Sequence, residues 1–462
     1  MKEKKSSRRH QESRRDFVKK SALAATAMMA GWGPSAASSS PAKSASKIAS
    51  SSILGANERL GVAFLGVGGQ GFNSHLRNIV NLTNDGRPLH EYSYNTTPIA
   101  AADVFTKRRD QALAEMQRVN ADAEVYDDYR RILDRNDVDA VFIGSVDHWH
   151  SRMAVDALDA GKHVYCEKPM TRYLGEGFDI YDKVKETGLV FQIGSQYCSE
   201  AKWHKAAELI TAGKIGPLVM GQADYCRNNP DGEWNYTIED ETRPENLDWQ
   251  AWLGPVSDRP FSADEYHRWR KYYPYCAGIL GDLLAHQIHP LMIASGNPEF
   301  PTRVTCLGTR EITPDRDVPD NTQLLANFPS GLTLLVIGST VNEQGLGQVV
   351  RGHEGTIYLG GNSIELRPER PFADLVDREE YANLQPGPSI PYHIGDFFEG
   401  IRTGKVTNGN IDLAMKTQTV ISLAEMSERL GEMVHFDAET RKVSVGSGRE
   451  IGPITYGTLE IS

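Results

Sequence analysis

The sequence predicts an α/β protein of two domains: a doubly wound parallel sheet, followed by an α+β domain with an open, mainly antiparallel sheet. In the first half, short apolar segments alternate with segments of helical periodicity, the order that a parallel sheet with crossover helices requires. Between residues 300 and 367, short apolar segments follow one another with only turns between them, which is typical of antiparallel strands. A chain of 462 residues is long enough to bury two such cores.

Charge is distributed unevenly along the chain. The formal net charge is -11, from 50 Lys and Arg and 61 Asp and Glu. Residues 1–45 hold ten of the basic and three of the acidic residues, which leaves 40 basic and 58 acidic residues, a charge of about -18, in the rest. An acidic body repels a phosphate backbone, so we expect no nucleic-acid partner. No apolar run after residue 50 approaches the ~20 residues that a membrane span needs.

The cysteines exclude a dense disulfide framework. Their number is odd and no CxxC pair occurs; the five are Cys166, Cys198, Cys226, Cys276 and Cys306. We expect them to be small buried side chains, with a single disulfide bridge as the alternative.

The first 50 residues have the pattern of an export signal. Residues 13–19, S-R-R-D-F-V-K, resemble the twin-arginine (Tat) signal, and a weakly apolar segment at 22–30 follows. A Ser-, Ala- and Pro-rich stretch without periodicity comes next. We predict that residues 1–50 are a Tat signal peptide with a disordered, cleavable linker, and that the Tat machinery exports the protein to the periplasm. A basic tail without this role is the alternative.

A glycine-rich loop follows the first predicted strand, at 60–65. The pattern G-x-G-x-x-G is typical of a dinucleotide-binding (Rossmann) domain. Its first glycine permits the tight turn, its second lets the backbone approach a pyrophosphate, and its third lets the following helix pack closely and point free N–H groups at the phosphates. We predict that five loop residues bind the cofactor: Gly66, Gly68, Gly69, Gln70 and Gly71. A purely structural glycine turn is the alternative.

The second predicted strand, P-I-A-A-A-D-V, ends at Asp103. A carboxylate at this point can accept hydrogen bonds from both ribose hydroxyls and repels a 2′-phosphate, which favours NAD over NADP. The separation from the glycine loop exceeds the usual ~20 residues, and a polar insertion at 84–97 accounts for the difference. Three cationic residues directly after it keep NADP as the alternative cofactor: Lys107, Arg108 and Arg109.

The alternation then continues to residue 195. Helices are expected at 107–119, 151–161 and 177–188, and strands at 137–145, 162–169 and 189–195. Sites in such sheets lie at the carboxyl ends of strands. Two of these ends are rich in reactive side chains: residues 145–150, S-V-D-H-W-H, and residues 167–169, E-K-P.

The glycine loop, D-H-W-H and G-K-H-V-Y-C-E-K-P-M-T together resemble the Gfo/Idh/MocA oxidoreductases, named for glucose–fructose oxidoreductase and inositol dehydrogenase. The resemblance extends through G-D-L-L-A-H-Q-I-H-P and covers nearly all of residues 57–440. It implies a Rossmann domain at 57–182 and a substrate and oligomerisation domain at 183–445, whose sheet covers the nicotinamide. It also implies that Ser145, His150, Glu167 and Lys168 contact the cofactor, although the family's usual Thr-Pro is Ser-Val here.

Strand and helix patterns in the second domain agree with that fold. Strands are expected at 303–309, 322–328, 332–340, 355–360 and 363–367, with a hairpin at F-P-S-G-L, and helices at 394–403 and 410–430.

The predicted catalytic residues are Lys168, Asp282 and His286. Asp282 and His286 are four residues apart, so we expect them to share one helix face, and the resemblance implies that they meet Lys168 at the substrate. A His with a pKa near ~6.5 can take the proton of a hydroxyl, while Asp282 orients it or binds a neighbouring hydroxyl. We expect a lowered pKa for Lys168 beside a cationic nicotinamide. A helix-surface pair is the alternative.

Two other patterns do not assign a site by themselves. His289 extends the pair to D-x3-H-x2-H, but Pro290 and the lack of a partner carboxylate disfavour a metal site. Aromatic and charged residues crowd together between 225 and 275; this composition suits a carbohydrate ring, an oligomer interface or loop packing equally.

The sequence thus predicts an exported NAD(P)-dependent oxidoreductase that acts on a hydroxyl of a sugar, polyol or glycoside. Because free NAD is scarce outside the cytoplasm, we expect the cofactor to be tightly retained. The main alternative is a redox-neutral, NAD-dependent glycoside hydrolase or lyase that works through a transient keto-sugar. A non-catalytic sugar-binding protein is disfavoured by the intact Lys168, Asp282 and His286.

Overall fold

Two sheets organise the part of the chain that a computed structural model describes, residues 59–446, 448–452 and 454–456. The predicted signal at 1–50 lies outside these residues. The first sheet has six strands, all parallel, in the order β3-β2-β1-β4-β5-β6. Its strands are β1 Leu60–Leu65, β2 Thr96–Ala102, β3 Glu124–Tyr126, β4 Ala140–Ile143, β5 His163–Cys166 and β6 Phe191–Ile193. This order is that of a Rossmann sheet and confirms the predicted doubly wound topology.

Helices connect the parallel strands as the alternation predicts. A π-helical turn, Gly71–Leu76, runs into the short helix Arg77–Val80 directly after the glycine loop. The others are Thr106–Met116, Arg130–Leu133, Asp147–Asp159 and Leu174–Thr187. The strand β3 matches no predicted segment, because its three residues are only partly buried and too few to show a pattern.

Within the described part of the chain, the second sheet has eleven strands in the order β14-β13-β12-β11-β7-β10-β9-β8-β15-β16-β17. Neighbouring strands are antiparallel except β7 and β10, which are parallel, so the predicted open, mainly antiparallel sheet is confirmed. The strands are β7 Leu218–Cys226, β8 Arg303–Thr309, β9 Asn321–Asn327, β10 Thr333–Ser339, β11 Gln348–Gly352, β12 Gly355–Gly360, β13 Ser363–Pro368, β14 Glu379–Tyr381, β15 Val434–Asp437, β16 Lys442–Val445 and β17 Arg449–Ile451.

One face of this sheet is covered by helices. The helix Ile411–Leu430 packs on β8 and on the helix Leu174–Thr187, so it ties the two sheets together. It begins at Asn410, whose side chain accepts hydrogen bonds from two backbone N–H groups, and ends at Gly431. The remaining helices are Ala201–Thr211, Trp249–Leu253, Ala263–His267, Ile279–Asp282, Ala285–Ala294 and Ile390–Thr403, with 3-10 turns at Gln196–Ser199, Trp269–Lys271 and Arg370–Phe372.

The fold bears on two expectations, one about disulfide bridges and one about membrane spans. All five cysteines are free thiols, so the alternative of a disulfide bridge is wrong. Within the described ranges, no helix combines the length and the apolar character that crossing a bilayer requires.

Candidate active site

A cleft of about 1900 Å³ runs along the carboxyl ends of the parallel strands and is bounded by residues of both sheets. It is roughly twice the upper size of an ordinary small-molecule pocket. Every predicted site residue except Gly71 lines it: Gly66, Gly68, Gly69, Gln70, Asp103, Ser145, His150, Glu167, Lys168, Asp282 and His286. The fold therefore brings together residues up to 220 positions apart in the sequence.

The glycine loop has the shape that a dinucleotide needs. Gly66 has φ +81, and a Cβ on it would lie 2.7 Å from the Cα of Ser145. A Cβ on Gly71 would lie 2.1 Å from the carbonyl oxygen of Gly66. At Gly68 and Gly69 an added Cβ would meet nothing within 4 Å, so this backbone is open to the cleft. The residues present fit a pyrophosphate that approaches the main chain closely.

Asp103 holds the glycine loop as well as lining the cleft. Its Oδ2 accepts a hydrogen bond from the N–H of Val67 at 2.9 Å, and its Oδ1 accepts one from the N–H of Phe105 at 2.9 Å. Burial raises the pKa of this carboxyl, against the effect of the two backbone donors. Its binding of ribose hydroxyls stays a prediction, and its fastening of the loop was not foreseen from the sequence.

Glu167 is the centre of a buried cluster on the cofactor side. Its Oε1 accepts hydrogen bonds from Gln70 Nε2 at 2.9 Å and from His75 Nε2 at 2.8 Å, and its Oε2 accepts one from the N–H of Lys168 at 3.2 Å. Burial alone would raise the pKa of Glu167, but His75, Gln70 and the charge of Lys168 lower it to about 2. The carboxylate is therefore ionised at neutral pH and ties the glycine loop to the end of β5.

Lys168 points the other way, into the second domain. Its Nζ donates to Oδ1 of Asp282 at 2.8 Å and to the carbonyl oxygen of Asp282 at 2.6 Å. Burial acts to lower the pKa of Lys168, but the charge of Asp282 outweighs it and the pKa is raised. The predicted lowering beside a cationic nicotinamide stays a prediction, and the sequence did not show that a carboxylate lies against the ammonium group.

Asp282 receives two further donors that the sequence did not assign. Arg270 Nε donates to Oδ1 at 2.9 Å, and Trp234 Nε1 donates to Oδ2 at 2.9 Å. Burial opposes ionisation, yet Lys168 and Arg270 hold the pKa of Asp282 well below its ordinary value. Both donors come from the aromatic and charged stretch at 225–275, which was the only signal that could have pointed to them.

Asp282 and His286 lie on two helices rather than on one. Asp282 ends the helix Ile279–Asp282, and His286 lies in the helix Ala285–Ala294. A continuous helix would give the Asp282 carbonyl to the N–H of His286, but Lys168 Nζ takes that carbonyl, and His286 N–H bonds to Leu283 instead. The single helix that the sequence predicted is therefore interrupted at the point where Lys168 contacts it.

The imidazole of His286 lies between two tyrosine rings, with ring centroids 5.3 Å from Tyr197 and 5.6 Å from Tyr225. Its Nδ1 is buried and has no hydrogen-bond partner among the described residues. Burial, and then the charge of Lys168, lower the pKa of His286 to about 3. The expected pKa near ~6.5 is thus wrong, and the ring is neutral at neutral pH.

The two histidines of D-H-W-H have different surroundings. His150 Nδ1 lies 2.8 Å from the carbonyl oxygen of Pro169, and its Nε2 lies 3.2 Å from that of Ser145. Burial lowers the pKa of His150, so the neutral ring has one N–H and donates to one of these two carbonyls. The Lys168–Pro169 peptide is cis. His148 is buried and bonds to the carbonyl of Trp252 at 2.9 Å. It packs in an aromatic cluster.

The cleft also contains Asp147, which the sequence did not single out. It is the first residue of the helix Asp147–Asp159, is buried, and lines the cleft. Its Oδ2 has no hydrogen-bond partner in the described part of the chain. Burial raises the pKa of Asp147 to about 7, with the negative charge of Asp282 acting in the same direction. Near neutral pH this carboxyl can therefore hold or give up a proton.

The aromatic stretch divides between packing and the cleft. Phe105, Trp249, Trp252 and Tyr275 form a buried cluster with Leu247, which is loop packing. The aromatic residues of the stretch that line the cleft, together with Arg270, are Tyr225, Tyr236, Trp252, Tyr266 and Trp269. No group of three or more His, Cys, Asp or Glu side chains suited to a metal ion occurs among the described residues, and the Nδ1 of His289 bonds to the carbonyl of Ala285 in its own helix.

The fold and the cleft define a two-domain protein that binds a dinucleotide. Two family models match the chain: the oxidoreductase family's NAD-binding Rossmann fold over residues 60–195, and its C-terminal alpha/beta domain over residues 230–448. The chain belongs to the Gfo/Idh/MocA family of NAD-binding oxidoreductases.

Two of the curated relatives are enzymes of different kinds. A levoglucosan dehydrogenase of Pseudarthrobacter phenanthrenivorans is 26% identical over 295 residues, 58% of this chain and 67% of that protein. An alpha-N-acetylgalactosaminidase of Shewanella oneidensis is 28% identical over 266 residues, 54% of this chain and 55% of that protein. The match thus covers only about half of the second protein's length.

Solved structures support the same fold. A levoglucosan dehydrogenase in complex with NADH and levoglucosan has a TM-score of 0.59 at 20% identity, over 82% of this chain and 99% of that one. An aldose-aldose oxidoreductase from Caulobacter crescentus, complexed with glycerol, has a TM-score of 0.58 at 20% identity, over 82% of this chain and all of that one. At this identity the likeness concerns the fold alone.

Proposed function

We propose that this oxidoreductase uses NAD to oxidise or reduce a hydroxyl-bearing carbon of a sugar, polyol or glycoside. The arrangement of Lys168, Asp282 and His286 carries the proposal, because Lys168 contacts Asp282 at 2.8 Å and its charge acts on the neutral imidazole of His286 in the same cleft. The levoglucosan dehydrogenase relative named above supports a carbohydrate as the substrate class.

The residues of the chain divide the chemistry between them. NAD, when bound, supplies the acceptor for the hydride that leaves the carbon. The hydroxyl proton goes to a ring nitrogen of His286, which is neutral and therefore able to accept it. Since a pKa of about 3 makes His286 a weak base, the transfer needs help from Lys168, whose ammonium group stabilises the alkoxide as it forms. Asp282 holds Lys168 in place.

A redox-neutral glycosidase is the second candidate, and Asp147 is the observation that favours it. In that reaction a hydroxyl of the sugar would first be oxidised, with NAD as the hydride acceptor, which acidifies the neighbouring C–H bond. A base would then remove that proton while the glycosidic oxygen leaves. Addition of water to the resulting double bond and return of the hydride to the sugar would complete a cycle without net redox change. The leaving oxygen needs a proton donor, and a carboxyl with a pKa of about 7 can serve as one near neutral pH. The alpha-N-acetylgalactosaminidase relative supports keeping this candidate.

One assay separates the two candidates. The purified protein is incubated with a panel of free sugars, polyols and aryl glycosides, and both keto-sugar formation and release of the aryl group are measured. An oxidoreductase forms keto-sugar and leaves the glycosidic bond intact, whereas a glycosidase releases the aryl group without net change in the redox state of the cofactor. NAD binding is verified in the same sample. If that sample then forms neither product, both candidates are contradicted.

We also propose that the protein is exported through the Tat route with its NAD already bound. The S-R-R-D-F-V-K motif supports export, and the scarcity of free NAD outside the cytoplasm supports retention. Fractionation of cells that express the full chain tests the first point: periplasmic protein that is lost on changing Arg14 and Arg15 to Lys is expected. An unchanged distribution would contradict it.

A homo-oligomer that forms through the open face of the second sheet is our last proposal. The face opposite the helices exposes large apolar side chains, of which Leu307 is 65% exposed, Leu325 42% and Tyr358 40%. Such patches mark interaction surfaces. Sedimentation of the native chain and of Leu307→Asp is the test: the native chain is expected as an oligomer and the variant as a smaller species, whereas a native monomer would contradict the proposal.

A further inference from the structure

We propose that Glu239, on a segment of the second domain, makes the cleft select NAD over NADP by occupying the two cations that follow β2. The inference rests on the NAD-binding cleft described above and concerns a residue outside the first domain. Lys107, Arg108 and Arg109 follow the second strand, and free cations at this place are what a 2′-phosphate requires. Glu239 explains how the cleft favours NAD although these cations are present.

Glu239 lies on a segment, residues 239–248, whose last three residues are fixed by main-chain contacts against the end of β2. Phe105 and Leu247 form an antiparallel bridge. The N–H of Thr106 donates to the carbonyl of Asn246 at 3.0 Å, and the N–H of Asp248 donates to the carbonyl of Val104 at 3.1 Å. The second domain is thus attached by backbone bonds to the loop that borders the ribose end of a Rossmann cleft.

Charged side chains complete the attachment. One carboxylate, that of Glu239, reaches both neighbouring cations: Oε1 lies 2.6 Å from Arg108 Nη2, and Oε2 lies 2.8 Å from Lys107 Nζ. The guanidinium of Arg109 is turned away and donates to the carbonyl of Asp103 at 2.6 Å. All three cations after β2 therefore have protein partners.

The consequence for the cofactor follows from charge. Glu239 and Arg108 line the cleft together with Asp103. To bind a 2′-phosphate, Arg108 would have to leave Glu239, and the phosphate would then lie near two carboxylates, so both the lost contact and the repulsion act against NADP. The 2′-hydroxyl of NAD makes no such demand. Selectivity is thus predicted to come from a carboxylate that sequence motifs of the first domain do not contain.

The experiment compares the affinities of NAD and NADP by titration calorimetry, using the full chain stripped of bound nucleotide. In Glu239→Gln, which keeps the shape but removes the charge, we expect NADP affinity to rise about tenfold, the size of one charged hydrogen bond, and NAD affinity to stay nearly unchanged. Glu241→Gln is the matched control: its side chain is 56% exposed against 24% for Glu239 and lies 3.3 Å from Lys107. We expect no change of the ratio there.

Two more variants keep the proposal falsifiable. Adding Arg108→Gln to Glu239→Gln should cancel the gain in NADP affinity, whereas Arg108→Gln alone should leave the ratio unchanged, since Arg108 is engaged in the native chain. An unaltered ratio in Glu239→Gln, or equal loss of both affinities, would overturn the proposal. If the native chain bound neither dinucleotide, the NAD site itself would be refuted, which is a different result.

Discussion

Glu167 and Lys168 are adjacent in the chain, yet their side chains bind to different halves of the molecule. Glu167 accepts hydrogen bonds from Gln70 and His75, both in the first domain. Lys168 donates to Asp282 in the second domain. The end of β5 is therefore a junction, where one residue holds the cofactor loop and the next contacts the substrate side. Changes at the two positions should therefore have separable effects.

The largest effect is expected for Lys168→Met. It removes the ammonium group that stabilises the alkoxide, so turnover should fall by roughly a thousandfold. NAD affinity should fall much less than turnover, because the glycine loop is held by Glu167. Single-turnover kinetics and calorimetry measure the two quantities. Lys185→Met is the matched control, since Lys185 pairs with Asp412 on the surface. Unchanged turnover in Lys168→Met would refute its assigned role.

The opposite pattern is expected for Glu167→Gln. Loss of the charge weakens the bonds from Gln70 and His75, so the glycine loop is held less firmly and NAD affinity should fall by roughly tenfold to a hundredfold. Turnover at saturating NAD should fall much less than in Lys168→Met. If turnover were lost and NAD affinity preserved, the division of roles between the two residues would be wrong.

A smaller effect, on the stability of the fold in acid, is expected from the charge of Glu167. The pKa of Glu167 is lowered from 4.5 to about 2 in the folded chain. Its contribution to stability is therefore present above pH 4.5 and is lost as the pH falls toward 2, about 2 kcal/mol of it by pH 3. Urea unfolding at pH 6 and pH 3 measures this loss, which should be about that much smaller in Glu167→Gln. An equal loss in both proteins would contradict it.

Local signals were sufficient for most of the fold. Buried strands such as β1 and β4 are continuous apolar runs, and the glycine loop follows from sterics that a motif records directly. The short strand β3 was missed because three partly buried residues show no period. The helix break after Asp282 was missed for another reason: a side chain from 114 residues away takes the carbonyl that the helix would have used.

The sequence predicted which residues form the site but not how their pKa values are shifted. Lys168, Asp282 and His286 were selected through a family resemblance, and they do line one cleft. Their pKa shifts depend on partners and burial that only the fold creates: Asp282 raises the pKa of Lys168, and burial lowers that of His286. Arg270, Trp234 and Asp147 carried no signal strong enough to single them out.

The most direct test of the central claim, that NAD is bound in the cleft between the two sheets, is the nucleotide content of the native protein. The full chain is purified from the cells that express it without added cofactor and denatured, and its released nucleotides are quantified. About one NAD per chain is the expected result, with the amount falling in Glu167→Gln. A protein that is empty and binds neither NAD nor NADP when these are added would contradict the account.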